Sequence, residues 1–329
     1  MPAPANTPSP TPTRFLGCDV GKTQIVVFDT RDATTRTLPN QPAALAAFAA
    51  TLDPTCLVVC EATGGYEDAL LSALVSASGS WPRPGSCPAH RADARKVKAF
   101  IRSLGTLAKS DALDARALAR YGQERHAGLA RWQAPDPARE RLQTLVLTRA
   151  DLVAQRTACT NRLAAPGAEP VRACLEAVRA CLATQIRALD AAIARLVRRA
   201  DLAQAERVLR AIPGIGATTA AALLALMPEL GRIDRRQAAA LAGVAPHPNQ
   251  SGARDGYRRT RGGRPEVKRV LFLAALTASR HNPGLKAVYQ RLCQAGKKPI
   301  VAITALMRRL VVIANARLRD ESEPANQLS

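Results

Sequence analysis

The chain has 329 residues with 47 Lys and Arg against 26 Asp and Glu, a formal net charge of +21. That length allows two domains of roughly 100–200 residues each, and the charge points to a polyanionic partner, because basic side chains on phosphates release condensed counterions. The sequence lacks an uninterrupted apolar run of about 18 residues, so no transmembrane helix is expected.

Arg outnumbers Lys by 39 to 8. A planar guanidinium can grip phosphate bidentately. A GC-rich genome accounts for the choice of Arg over Lys, but not for the excess of bases over acids. The eight cysteines (Cys18, Cys56, Cys60, Cys87, Cys159, Cys174, Cys181, Cys293) form no CxxC pair and have no His at zinc-ligand spacing. Small core residues in a reduced, cytoplasmic bacterial protein are expected. The N-terminus is not a signal peptide in pattern.

Residues 1–13 (MPAPANTPSPTPT) are of low complexity and are expected to form a disordered tail. An α/β pattern occupies 14–125. Strands are predicted over 15–20 and 25–29, joined by a turn at Gly21-Lys22. A helix follows over 41–52, a buried strand over 56–60 (CLVVC), and helices over 66–78, 91–103 and 111–122. Three prolines in SWPRPGSCPAH (80–90) argue against a central strand there. Residues 126–137 have the composition of a linker.

The remainder is predicted to be mainly helical. Two apolar stripes, at 142–153 and 171–196, are separated by AAPGAEP and imply a helical hairpin or coiled-coil arm over 138–200. The segment 211–227 (AIPGIGATTAAALLALM) reads as a helix–hairpin–helix. Its backbone at Gly214 and Gly216 either binds a phosphate at a helix N-terminus or simply makes a tight turn. A polar loop over 245–263 and helices over 264–280, 284–294 and 299–317 complete a C-terminal part spanning 201–320.

Four acids form the first candidate site. Asp19 lies near the end of the first strand in GCDVGK, and Glu61 immediately after the third in CEATGGYE, where open α/β sheets place their sites. Asp111 and Asp114 share a face at the start of a helix. Such a set of carboxylates repels itself unless a cation neutralises it, and hard oxygen ligands suit Mg²⁺ or Mn²⁺. Two such ions can serve a phosphodiester displacement. Taken singly, Asp111 and Asp114 are better explained as first-turn acids after the N-cap Ser110, and it is the order and setting of all four that favour a metal.

The second candidate is Ser251 in PHPNQSGARDGYRRTRGGRPEVKR (246–269). It is followed by Arg254, Arg258, Arg259, Arg261, Arg264, Lys268 and Arg269, with only Asp255 and Glu266 opposing them. Gly252, Gly256, Gly262 and Gly263 would let the backbone approach a ligand closely. A serine among guanidinium groups suits attack on phosphate, because they neutralise the developing charge. His247 is the nearest base. A polar turn serine in a nucleic-acid-binding loop fits the residues just as well.

Together GCDVGK, CEATGGYE, AKSDALDARALA, IPGIGATTAAALLA, LAGVAPHPNQSG and the GGRPEVKRVLFLAALTA helix resemble the DEDD-type insertion-sequence transposases and the related Piv DNA invertases, in the same order. The resemblance implies an RNase H-like (RuvC-like) N-terminal domain with metal-binding acids at Asp19, Glu61, Asp111 and Asp114. It implies a nucleophilic serine at Ser251, a guide RNA encoded by the element, DNA as substrate, and a dimer that pairs into a tetramer. This chain departs from the family's pattern at Ser110, where Thr is usual, and at 80–90, where an apolar strand is usual. The residues by themselves also accommodate a RuvC-like nuclease or junction resolvase that uses water, and a non-catalytic nucleic-acid-binding protein.

Overall fold

The structure is a computed structural model that describes residues 11–76, 87–105, 110–198, 200–251, 254–256 and 258–322. It divides into two compact units, Met1–Ala134 and Pro135–Ser329. The boundary falls within the linker composition at 126–137.

In the first unit the described elements are β1 (Arg14–Val20), β2 (Gln24–Asp29), β3 (Thr34–Pro39), α1 (Pro42–Ala50), β4 (Cys56–Glu61), α2 (Asp68–Ser76), β5 (Ala89–Ala92), α3 (Ala94–Ser103) and α4 (Asp111–Arg125). Five strands form one sheet in the order β3-β2-β1-β4-β5. β1, β2 and β3 are antiparallel neighbours, whereas β4 and β5 run parallel to β1. An antiparallel meander that continues into parallel strands, with helices on both faces, is the expected RNase H-like arrangement.

The sequence alternation sorts the faces. Leu16, Cys18 and Val20 of β1 join Val58 and Cys60 of β4 under α1 and α2. Phe15, Leu57 and Val59 turn the other way, against Val97, Phe100, Leu118 and Tyr121 of α3 and α4. Both faces of the central strands are therefore buried, which is why they read as unbroken apolar runs.

β3 was not anticipated. Its sequence, TTRTLP, is mostly exposed; an edge strand of this kind stays polar and tolerates a terminal Pro. The strand expected to be disturbed by SWPRPGSCPAH survives as the four residues of β5, paired with β4 from Val58↔Ala89 to Glu61↔Ala92. Residues 80–86 of that stretch lie outside the described residues, as does most of the tail. Thr13 is already tied to the sheet, its N–H donating to Thr55 O at 2.9 Å.

The second unit contains α5 (Pro137–Leu163), α6 (Arg172–Val197), α7 (Ala200–Arg210), α8 (Ala217–Leu226), α9 (Arg235–Leu241), β6 (Asn249–Ser251), β7 (Arg254–Gly256), α10 (Pro265–His281), α11 (Pro283–Gln294) and α12 (Pro299–Ser322). Asp136, Asp234 and Asn282 cap α5, α9 and α11, each accepting from a first-turn N–H. α8 is almost wholly buried and forms the centre of this unit's core with α10 and α12.

α12 bears on the expectation about apolar runs. Pro299–Glu321 is long and apolar enough to cross a membrane by length and composition. It carries Arg308 and Arg309 midway, where a bilayer would penalise them, and buries Ala302, Leu306, Leu310, Val311 and Ala314 in its own unit's core. It reads as a core helix. The cysteines are all free. Five are buried as expected, but Cys174 and Cys181 are exposed on α6.

Candidate catalytic site

Asp19 and Glu61 each directly follow the last paired residues of parallel neighbours, Cys18↔Cys60. Strands so paired lie about 4.8 Å apart, and residues at one level point to one face. By alternation from Phe15 and Val59, that is the face covered by α4.

Two glycines set the path of α4 across this face. A Cβ on Gly122 would lie 2.8 Å from Val59 Cγ2 and 3.5 Å from Phe15 Cδ1. A Cβ on Gly17 would lie only 1.9 Å from Ala115 O and 2.4 Å from Ala119 N. The helix therefore runs antiparallel to β1 and close against it. Two strand residues advance about 6.6 Å, the rise of roughly 4.4 helical residues. Moving from Gly17 to Asp19 thus moves from the Ala115–Ala119 turn to the turn holding Asp111 and Asp114. All four acids belong to one end of the sheet and one face.

The first-turn reading of Asp111 and Asp114 stands beside this, since both lie in the first turn of α4. Ser110 is the residue that caps α4, its Oγ accepting from Leu113 N at 3.3 Å. Asp19, Glu61 and Asp114 are half-buried and Asp111 is exposed. Among the described residues no three His, Cys, Asp or Glu side chains are grouped so as to hold a metal ion as they stand. The backbone thus brings four oxygen-donor acids to one end of the sheet, and the described side chains do not form a closed ligand set.

The serine loop is a small hairpin. Ser251 is the Cα partner of Arg254 at its tip, followed by Gln250↔Asp255 and Asn249↔Gly256. Its base is held by His247 N–H donating to Arg259 O at 3.0 Å and by a bridge between Pro246 and Thr260. The His247 ring faces Arg261 O, with Nε2 at 3.3 Å. Arg258, Arg259, Arg261 and Arg269 are exposed.

Arg264 differs from them. Its fork meets both Glu229 oxygens, at 2.8 and 2.6 Å, and Leu226 O at 2.6 Å. Hydrogen bonding to Glu229 raises its already high pKa, against the opposing effect of burial. Lys268 Nζ contacts Thr260 Oγ1 at 3.3 Å. The glycines also serve the protein's own backbone. Gly263 (φ +72°) abuts Gly243, with a Cβ only 2.1 Å from Gly243 N, and a Cβ on Gly256 would meet Asn249. Gly262 has open space around its Cβ position, and Gly252 lies outside the described residues.

Two family profiles match consecutive parts of the chain: a DEDD transposase profile of the IS110 type over residues 16–165, and one described as the transposase IS116/IS110/IS902 family over 206–290. The chain belongs to the IS110 family of transposases. It is 29% identical over 235 residues to the pilin gene-inverting protein of Moraxella lacunata, a match covering 68% of this chain and 70% of that one. It is 33% identical over 138 residues to an uncharacterised 43.6 kDa protein of insertion element IS110 from Streptomyces coelicolor, covering 41% of this chain and 33% of that one. An uncharacterised 42 kDa protein of element IS900 from Mycobacterium paratuberculosis is 33% identical over 146 residues, covering 43% and 35%. The chain thus matches about a third of the length of the two insertion-element proteins.

In this IS110-family chain the PGIG segment is partly structural. Gly214 has φ +107°, and a Cβ there would meet Ala278 Cβ at 2.6 Å and Ala274 O at 2.9 Å, so it lets the turn press onto α10. Gly216 has open space and leads into α8, whose first residues Ala217 and Thr218 are exposed.

One residue of the site's framework escaped the sequence reading. Glu67 is 2% exposed and accepts from Thr63 N, Thr63 Oγ1 and Gly65 N at 3.1, 3.0 and 2.9 Å. Burial raises its pKa, but these donors outweigh it and the group ends below its usual value. It holds the loop leaving β4, and therefore the end of the strand that carries Glu61. The only signal was a second acid in CEATGGYE.

Proposed function

We propose that the chain is a DNA transposase or site-specific recombinase with a divalent-metal site at Asp19, Glu61, Asp111 and Asp114 and a nucleophile at Ser251. The observation that supports the metal half most is the course of α4: seated on Gly17, it carries Asp111 and Asp114 to the level of Asp19 and Glu61. Bound there, Mg²⁺ or Mn²⁺ would supply charge neutralisation at the oxygens of a phosphodiester. Membership of a transposase family supports DNA as the substrate. The pilin gene-inverting relative suggests rejoining rather than simple hydrolysis.

In the serine step, Ser251 Oγ gives up its proton and attacks phosphorus, and the sugar oxygen of the broken strand leaves and takes up a proton. The resulting phosphoserine diester keeps the bond energy. Attack by a sugar hydroxyl then rejoins a strand and returns the proton to Ser251. Exposed Arg258, Arg259 and Arg261, with Arg254 in the same loop, are suited to balance the charge developing on phosphate. Arg264 serves better as an internal strut than as a ligand to phosphate.

The remaining assignments follow the same reading. Residues 14–125 form the catalytic domain, 138–200 an assembly arm of α5 and α6, and 201–320 the serine-bearing domain. The Gly214–Gly216 hairpin presents the N-terminus of α8 to a phosphate. An RNA encoded by the element guides target choice by base pairing, and two dimers form the synapse.

Trapping on nicked or suicide DNA tests the serine. Ser251→Ala should lose the covalent protein–DNA adduct while keeping its circular dichroism spectrum and DNA binding. If strand cutting and joining persist in that variant, the serine mechanism is wrong; if cutting alone persists, the nucleophile is water and a resolvase-type nuclease replaces this proposal.

A further inference from the structure

We propose that a tract of six arginines leading away from the serine loop grips the backbone of duplex DNA, an inference that rests on the DNA-processing role above. Arg258 and Arg259 line one cleft of about 440 Å³, together with Val301, Thr304 and Arg308 of α12. An adjoining cleft of about 700 Å³ is lined by Arg235 and Arg236 at the start of α9 and by Arg308 and Arg309. Ala305 and Arg308 belong to both, so the clefts form one track.

Among the described residues no carboxylate lines either cleft. All six arginines are exposed, and among the described residues none is in an ion pair. The acid adjacent in sequence, Asp234, is engaged as the cap of α9, accepting from Arg236 N and Gln237 N. Like charges gathered without acids repel one another in the free protein, and a polyanion relieves that cost.

The geometry selects the form of the polyanion. From Ile300 to Ile313 the lined face of α12 extends about 20 Å, the axial span of about six phosphates on one strand of a duplex. Among the described residues neither cleft is lined by an aromatic side chain on which an unpaired base would stack. The track therefore suits the phosphates of double-stranded DNA flanking the strand presented to Ser251, and it carries no sequence preference.

The test uses the full chain and a synthetic DNA duplex of random sequence, with binding followed by fluorescence anisotropy across a salt series. Removing two phosphate contacts in Arg308→Ala/Arg309→Ala should lower the slope of log K against log salt by about 1.8. Arg308→Lys/Arg309→Lys should retain the slope, since it keeps the charge, and both variants should melt as the wild type does. An unchanged slope in the alanine variant overturns the tract, as does a fall seen with an RNA duplex and not with DNA. Failure of the wild type to bind the duplex at all would instead overturn the DNA-processing reading itself.

Discussion

Asp29 shows how one charge can fix a sheet. It ends β2, is 3% exposed, and receives Arg14 Nε at 3.1 and 3.2 Å and Arg31 N at 3.0 Å. Burial pushes its pKa up, but the Arg14 guanidinium and the Arg31 N–H overcome this and hold it below its ordinary value. A carboxylate depressed in the folded state contributes stability that is complete above its unfolded pKa, about 3.9, and is lost as pH falls through the folded value. Asp29→Asn leaves Arg14 without its charge partner, and losing one member of a buried pair costs about 3 kcal/mol. The difference in Tm from wild type should be largest near neutral pH and should close in acid, where wild-type Asp29 is itself protonated. A pH-independent difference in thermal melts would show that packing, not charge, is what the substitution removes.

At the scale of elements, the seat of α4 on β1 governs the acidic site. Gly17 faces backbone atoms rather than a flexible side-chain end, so a methyl group there cannot be absorbed by a rotamer change. Gly17→Ala should force α4 off the sheet and cost at least the 1–3 kcal/mol usual for overpacking, moving Asp111 and Asp114 away from Asp19. Loss of metal-dependent strand cleavage with no drop in Tm greater than about 1 kcal/mol equivalent would contradict this account. The glycine in GCDVGK was visible in the sequence, but its purpose was not, because its partner lies about a hundred residues further along the chain. β1, β2 and β4 were legible because strands covered on both faces are continuously apolar. β3 was not, because TTRTLP is a mostly exposed edge strand without an apolar run. The glycines around Ser251 were legible as close-approach positions, but Gly263 approaches Gly243 of its own chain, a distinction only the folded backbone can make.

At the scale of the molecule, each unit has a core of its own. The clusters under and over the sheet draw on Phe15 to Tyr121, and the helical core on Leu142 to Leu318. The two units should accordingly unfold as separable transitions, and a ligand of one should stabilise only that one. Trp132 packs against the core of the N-terminal unit and the second unit contains no tryptophan, so intrinsic fluorescence follows the melting of the first in the intact chain. An ion bound at Asp19, Glu61, Asp111 and Asp114 adds about 2.7 kcal/mol when present at 100 times its Kd. Mn²⁺ should therefore raise the fluorescence-detected Tm by several degrees, leave the second calorimetric transition in place, and lose its effect on adding chelator. Asp111→Asn/Asp114→Asn should abolish the shift. Its metal-free Tm should equal or exceed that of the wild type, because two mutually repelling charges have gone. A Mn²⁺ shift that persists in this variant would place the ion elsewhere and reduce Asp111 and Asp114 to first-turn acids favoured by the helix dipole.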